Sequence, residues 1–181
     1  MKFIRAKDFS KEEESDEQDE ALCDEKKPSR GKKTPPTAQS VALRLISMRD
    51  HSSRQLREKL SERGFSTEEI EETLEFLRNK RFLNDLRYGQ NLIRYMAERR
   101  YFGAYKIRME LLQKLDRQYV DILLPDELEQ YDFAALAKEL ASKPQMRGKS
   151  REALIRKLKA NGYGVSEIRF ALEGYDDVEP S

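Results

Sequence analysis

The stretch Ser52-Ser53-Arg54-Gln55-Leu56-Arg57-Glu58-Lys59-Leu60-Ser61-Glu62-Arg63-Gly64-Phe65 reads as one short helix with both ends marked. Ser52 can accept from a backbone amide at the start, and Gln55 stands three residues on, as in a capping box. Leu56 and Leu60 share a face at i, i+4. Gly64 supplies the left-handed backbone that stops the helix. The pattern returns 98 residues later, without a gap, as Ser150-Arg151-Glu152-Ala153-Leu154-Ile155-Arg156-Lys157-Leu158-Lys159-Ala160-Asn161-Gly162-Tyr163. It continues in Ile70 with Ile168 and Leu74 with Leu172. Half that offset leaves room for a third copy. Leu56 then maps to Ile107 and Leu60 to Leu111 at an offset of 51, and Phe65, Ile70 and Leu74 map to Leu115, Val120 and Leu124 at 50. Repetition at such a period implies stacked supersecondary units with binding surfaces and no single catalytic cleft.

Working outward, residues 39–82 form unit one. Val41, Ala42, Leu45, Ile46 and Met48 make the stripe of its first helix. Ser52 opens the second helix, and Ser66 with Glu69 opens the third, which carries Ile70, Leu74 and Leu77. Unit two, residues 83–125, opens at Leu83-Asn84-Asp85 with a helix running to about Arg100 and a stripe of Tyr88, Leu92, Tyr95 and Met96. Its glycine is missing before Leu115, which predicts a tight or irregular turn near Lys114-Leu115-Asp116. Pro125 is expected to end the unit, with an acidic linker over 125–131. Unit three begins at Asp132 and runs to 174, its third helix spanning about Val165 to Leu172. The expectation is an all-α protein: three tandem three-helix repeats, nine helices and no strand, in an elongated, curved array.

The ends differ from this body. Residues 8–25 are dense in Asp and Glu, and 26–37 are rich in Lys, Pro and Thr. Neither stretch can bury enough apolar surface to offset the entropy of ordering, so residues 1–38 read as a disordered charged tail. Residues 175–181 read as an acidic C-terminal tail. The chain holds 35 Lys and Arg against 34 Asp and Glu, with net charge +1. Because acids concentrate at the ends, the body between is mildly basic, which suits a partner that includes polyanion.

Single Cys23 excludes an internal disulfide, and single His51 excludes an ordinary zinc site. His51 reads as a structural turn residue. No phosphate-binding glycine loop or dinucleotide fingerprint is present. The reading is a non-enzyme with no cofactor. No apolar run approaches membrane-spanning length and residues 1–8 lack the apolar core of a signal peptide, so the expected location is cytoplasmic, without membrane contact.

The basic residues are the candidates for function. Arg49, Arg54 and Arg57 flank the first inter-helix turn. Arg78, Lys80, Arg81 and Arg87 cluster where units one and two meet. Arg94, Arg99, Arg100, Lys106 and Arg108 continue through unit two, interleaved with Tyr95, Tyr101, Phe102 and Tyr105. Arginine suits phosphate and carboxylate partners because its planar fork donates two parallel bonds. Aromatic rings beside it can stack on unpaired bases. One concave face carrying Arg49, Arg54, Arg57, Arg78, Arg81, Arg87, Arg94, Arg99, Arg100 and Arg108 is the expected binding surface. Arg151, Arg156, Lys157 and Lys159 could extend it on unit three.

Three such units, with Arg49-Asp50-His51-Ser52-Ser53-Arg54-Gln55-Leu56, the step Phe82-Leu83-Asn84-Asp85-Leu86-Arg87-Tyr88-Gly89, and the ending Lys157-Leu158 with Gly162-Tyr163 and Ile168 with Ala171-Leu172, resemble the RecX family of bacterial recombinase regulators. The likeness covers about residues 39–174. The chain departs from the family pattern in the glycine lost before Leu115 and in the long charged tail. It departs also in Gly89, where the family prefers Ala and where glycine costs a helix up to about 1 kcal/mol. The resemblance implies a protein that binds the RecA recombinase and its filament on single-stranded DNA. It implies suppression of filament growth, ATP hydrolysis and strand exchange, with a role in recombination, DNA repair and the SOS response. The charged face also fits a stand-alone DNA-binding repeat protein, or a helical adaptor for another protein. Polar tails at both ends of the array lead to the expectation of a monomer, with direct DNA contact left open.

Overall fold

The computed structural model describes residues 36–175; the charged stretches expected as tails lie outside the described residues, apart from their innermost residues. Among the described residues there are nine α-helices and no strand. The first repeat is α1 (Ala38–Met48), α2 (Ser53–Ser61) and α3 (Thr67–Asn79); the second is α4 (Asp85–Arg94), α5 (Ala104–Lys114) and α6 (Arg117–Glu129). The third is α7 (Phe133–Ser142), α8 (Arg151–Ala160) and α9 (Val165–Ala171). Each helix is too short to hold by itself in water, so packing of an apolar face decides its stability.

The expected start signals act as read. Ser52 and Gln55 exchange side-chain and backbone bonds at the start of α2, as do Ser66 and Glu69 at α3. Thr37, Asn84, Asp132 and Ser150 cap α1, α4, α7 and α8. Gly64 and Gly162 sit at φ 84° and 87° and close α2 and α8 identically. In each, the amide of the next residue, Phe65 or Tyr163, reaches back to the carbonyl of Leu60 or Leu158. The second repeat, lacking that glycine, turns on Leu115 and Asp116 alone, both extended.

Three sequence expectations are corrected. Pro125 does not end α6, which runs through it to Glu129, so most of the stretch expected as a linker is helical. Proline's missing donor and ring still permit the surrounding turns when packing holds them. Met48, placed in the stripe of α1, is 75% exposed, and Tyr95, placed in that of α4, is 51% exposed. Met96 is buried as expected, and the core face runs to it through Gly89 and Ile93, with Tyr88 and Leu92 packed alongside. The helix then widens into a π segment, Tyr95–Arg99, which shifts the register.

Each repeat holds its own core. Ala42, Leu56, Leu60, Leu74 and Leu77 fill the first, and Ile93, Ile107, Leu111, Leu115 and Val120 the second. Ala137, Leu154, Leu158, Ile168 and Leu172 fill the third. Gly89 is no defect: a Cβ there would stand 2.3 Å from Leu123 Cδ1, so the missing side chain lets α6 close onto α4.

The two joints differ in chemistry. Phe133 and Leu136 of α7 pack against the cores of both the second and third repeats. Among the described residues no side chain is shared in this way between the first and second. The second joint also brings backbones together. The Gly103 amide donates to the Asn161 carbonyl at 2.8 Å, Asn161 Nδ2 to the Tyr101 carbonyl at 3.0 Å, and Lys106 Nζ to the Ala160 carbonyl at 3.0 Å. One stacking rule serves both joints: the start of a repeat's middle helix receives the turn between the last two helices of the next repeat.

Candidate functional site

The joint between repeats one and two is built by polar groups. Ser52 Oγ, at the start of α2, donates to the Lys114 carbonyl in the turn after α5. The next amide, Ser53, donates to Asp85 Oδ1 at 2.7 Å, and the Ser53 hydroxyl to Asp85 Oδ2. Asp85 is buried in the first turn of α4, where helix amides favour a carboxylate. Arg78 Nη2 donates to Ser53 Oγ at 3.2 Å, so a guanidinium joins the same hydroxyl that bonds Asp85.

Arg54 and Arg57, expected to face a partner, are spent inside this joint. Arg54 Nη1 donates to the Leu112 carbonyl at 2.8 Å, closing the C-terminal end of α5, and its Nε pairs with Glu58 at 3.3 Å. Arg57 pairs with Glu71 at 2.8 Å and reaches Asp116 at 3.6 Å. The hydrogen bond from Arg57 holds the Glu71 carboxyl below its usual range, and Glu71 in turn raises the guanidinium. His51 is buried beside them. Its Nδ1 lies 2.8 Å from the Arg49 carbonyl and its Nε2 accepts from Arg49 Nε at 3.3 Å. That pairing fixes a neutral ring with the proton on Nδ1.

What remains outward is a narrower set. Arg49, Arg78, Arg81, Arg87, Arg94, Arg99, Arg100 and Arg108 are exposed, and none forms an ion pair among the described residues. Arg87 lines a small cleft with Asp50, His51, Phe82 and Asn84, so it stands at the first joint near Arg49. Arg94 lies two turns further along α4 and donates to Asn91 between them at 3.0 Å, which puts both arginines on one helix face. Tyr95 is exposed beside Arg94. Arg81 sits at φ 59°, the left-handed position that closes α3, where glycine is the usual residue. Arg87 and Arg94 therefore form an exposed strip along α4 that starts at the first joint, where Arg49 and Arg81 are exposed as well.

The others go elsewhere. Arg99 and Arg100 follow on the π segment and its end, Arg100 lying 5.3 Å over the Phe102 ring. Lys106 stands 4.2 Å from that same ring. Tyr101 donates to Glu139 at 2.5 Å under the Lys143 ammonium, so Tyr101 and Phe102 serve the second joint. Of the tyrosines expected to stack on bases, Tyr95 and Tyr105 are exposed. Arg108 borders a groove of Tyr105, Leu124, Pro125 and Leu128 between α5 and α6.

Sequence reasoning missed Asp85 as an inter-repeat tie, because a helix-opening acid normally faces water. It missed also the division of the arginines, since interior and exterior arginines look alike in a charged repeat. Among the described residues no group of three His, Cys, Asp or Glu side chains is placed to hold a metal ion. No helix there is long and apolar enough to cross a membrane.

Comparisons with known proteins agree with this architecture. Residues 38–77 match the family profile described as RecX, first three-helix domain. The chain is 33% identical over 156 residues to the regulatory protein RecX of Pelodictyon phaeoclathratiforme, covering 80% of this chain and 96% of that protein. It is 32% identical over 147 residues to the regulatory protein RecX of Vibrio vulnificus, covering 77% and 94%. The crystal structure of a regulatory protein RecX superposes with TM-score 0.62 at 26% identity, over 75% of this chain and 71% of that one. The fold is shared with RecX from Lactobacillus salivarius, at TM-score 0.58 and 21% identity over 76% and 93%. With three capped three-helix repeats in the same order and a match along nearly the full length of two regulators, this chain belongs to the RecX family of regulatory proteins.

Proposed function

We propose that the chain binds the RecA recombinase and its filament on single-stranded DNA, and restrains filament growth, ATP hydrolysis and strand exchange. Membership of a family of regulatory proteins supports this reading of the partner class. The observation that carries the reading is the exposure of Arg49, Arg81, Arg87 and Arg94 at the first joint and along α4, where none of them forms an ion pair among the described residues. A fork of this kind pairs with carboxylates on the recombinase or with phosphates of its bound DNA. The chain then occupies filament surface that an incoming subunit, or closure around nucleotide, needs. It does so as a monomer, in the cytoplasm.

The test is DNA-dependent ATP hydrolysis by RecA on saturating single-stranded DNA, titrated with this protein well below one molecule per recombinase subunit. Inhibition at that ratio is expected for direct action on the filament. The variant Arg81→Glu/Arg87→Glu/Arg94→Glu should lose it while keeping its helical circular dichroism. Full inhibition by the triple variant would overturn the assignment of the strip. Inhibition only when the protein can cover the DNA, lost steeply with salt, would instead support a DNA-binding protein without a recombinase contact.

A further inference from the structure

The turn that joins the first repeat to the second holds an aromatic ring largely in water. α3 closes with Arg81 in the left-handed region, and the Phe82 amide donates back to the Leu77 carbonyl at 2.9 Å. An apolar residue at this place commonly folds back onto the last turn of the helix it follows. Here Leu83 takes the core position, 4% exposed, and Phe82 is left 52% exposed. The turn between the second and third repeats shows what the backbone by itself requires. Asp132 caps α7 as Asn84 caps α4, and Tyr131 packs on the second core as Leu83 packs on the first. Two residues before the cap, where the first turn has Phe82, the second has exposed Gln130. A polar side chain serves that turn, so the turn geometry does not call for a ring.

The surroundings of the ring are cationic. Arg78, Lys80 and Arg81 are exposed at the end of α3 and on the turn. Arg87 and Phe82 line one small cleft together with Asp50, His51 and Asn84. Arg49 is exposed and bonded to the His51 ring at 3.3 Å. Asp50 in the cleft repels a phosphate, whereas a nucleobase suits both groups. Its face stacks on an aromatic ring, and its amino groups donate to a carboxylate. The phosphates on either side of such a base take guanidinium forks. A duplex keeps its base faces stacked inside, so the strand that fits is unpaired.

We propose that Phe82 is a stacking platform for one unpaired base of single-stranded DNA, with Arg81 and Arg87 on the flanking phosphates. This deepens the reading of the exposed arginines as a partner surface and rests on that reading for the surface itself. It adds the polymer that meets the first joint, and it assigns the ring to a base and the arginines to phosphate.

The chain contains no tryptophan, so Phe82→Trp supplies a single fluorescent reporter. A short oligothymidylate at low salt should quench its emission. An abasic strand of the same length should bind more weakly and without quenching. Phe82→Ala should weaken oligothymidylate binding about 5- to 150-fold, the loss of one stacked base. Its salt dependence should stay that of the native chain, since no phosphate contact is removed. Phe82→Tyr should keep the affinity and Phe82→Leu should not, because stacking needs a ring and apolar docking does not. Each variant should keep the helical circular dichroism, as Phe82 stands outside the core. The proposal is overturned by an unquenched tryptophan, by native binding as strong to the abasic strand, or by no strand binding at all. Full affinity in Phe82→Ala or Phe82→Leu would also overturn it. Retained strand binding in Phe82→Ala, with inhibition of RecA ATP hydrolysis lost, would set the ring against protein and equally overturn it. Strand binding through Phe82 by a chain that leaves RecA unaffected on saturating DNA would uphold the platform and defeat the recombinase reading.

Discussion

Single residues in this chain carry constraints that their exposure makes visible. His51 is held neutral by burial, which lowers its pKa below the ordinary 6.5, against the opposing hydrogen bond to the Arg49 carbonyl. A proton arriving at Nε2 would also face the Arg49 guanidinium. The folded state therefore takes up that proton at lower pH than the unfolded chain does. Its contribution to stability is whole above about pH 6.5 and is lost as pH falls from there through the folded value. The thermal midpoint should drop between pH 7 and 5, and His51→Gln should flatten that part of the profile. An unchanged slope in the variant would show that His51 is not the titrating group. The residue was legible as a turn residue from its solitude; its tautomer is set locally by Arg49, while the cleft around it is completed by Asn84, Arg87 and Tyr88 at the start of repeat two.

At the scale of elements, the repeats meet through the starts of α2 and α5. Glycine at position 103 permits the closer of the two contacts. A Cβ there would lie 2.4 Å from the Gly162 carbonyl oxygen and 2.8 Å from the Tyr163 amide nitrogen. Both are backbone atoms, which cannot swing aside as a side chain can. Gly103→Ala should destabilise the protein by about 1–3 kcal/mol through overpacking. Thermal unfolding would register this as a lower midpoint with unchanged helix content at 20 °C. No loss would mean that the two backbones separate freely. The contrast with Gly89 is instructive: there the obstructing atom is the end of Leu123, so gained helix propensity and repacking oppose one another. In sequence Gly89 read only as a helix-disfavouring residue.

Across the described array both joints carry hydrogen bonds, and the second alone adds apolar side chains shared between two cores. Phe133 and Leu136 tie repeats two and three into neighbouring cores, whereas Ser52, Ser53, Arg54, Arg57, Arg78 and Asp85 tie repeats one and two. Asp85→Ala would leave both the buried Ser53 amide and the Ser53 hydroxyl without their acceptor. The expected loss is about 2–4 kcal/mol. Amide exchange should locate it: α1, α2 and α3 should exchange faster in the variant, with α7, α8 and α9 little changed. Uniform acceleration along the chain would show one cooperative unit and contradict the polar joint as a boundary.

The sequence by itself determined the helical class, the three repeats and nearly every helix start. Those features rest on local chemistry: a hydroxyl or amide side chain that caps a backbone N–H, a glycine that accepts positive φ, and leucines spaced to share a face. It located the tight turn at Leu115 and Asp116 for the same reason. It placed the end of the second repeat at Pro125 because proline's local penalty was read without the packing of Val120, Leu123 and Leu124 that holds α6 together. Only the tertiary structure decided which arginines hold the molecule and which face outward. Arg54 and Arg87 are chemically the same residue, and the difference arises from the Leu112 carbonyl brought to one and withheld from the other by the stacking of repeats.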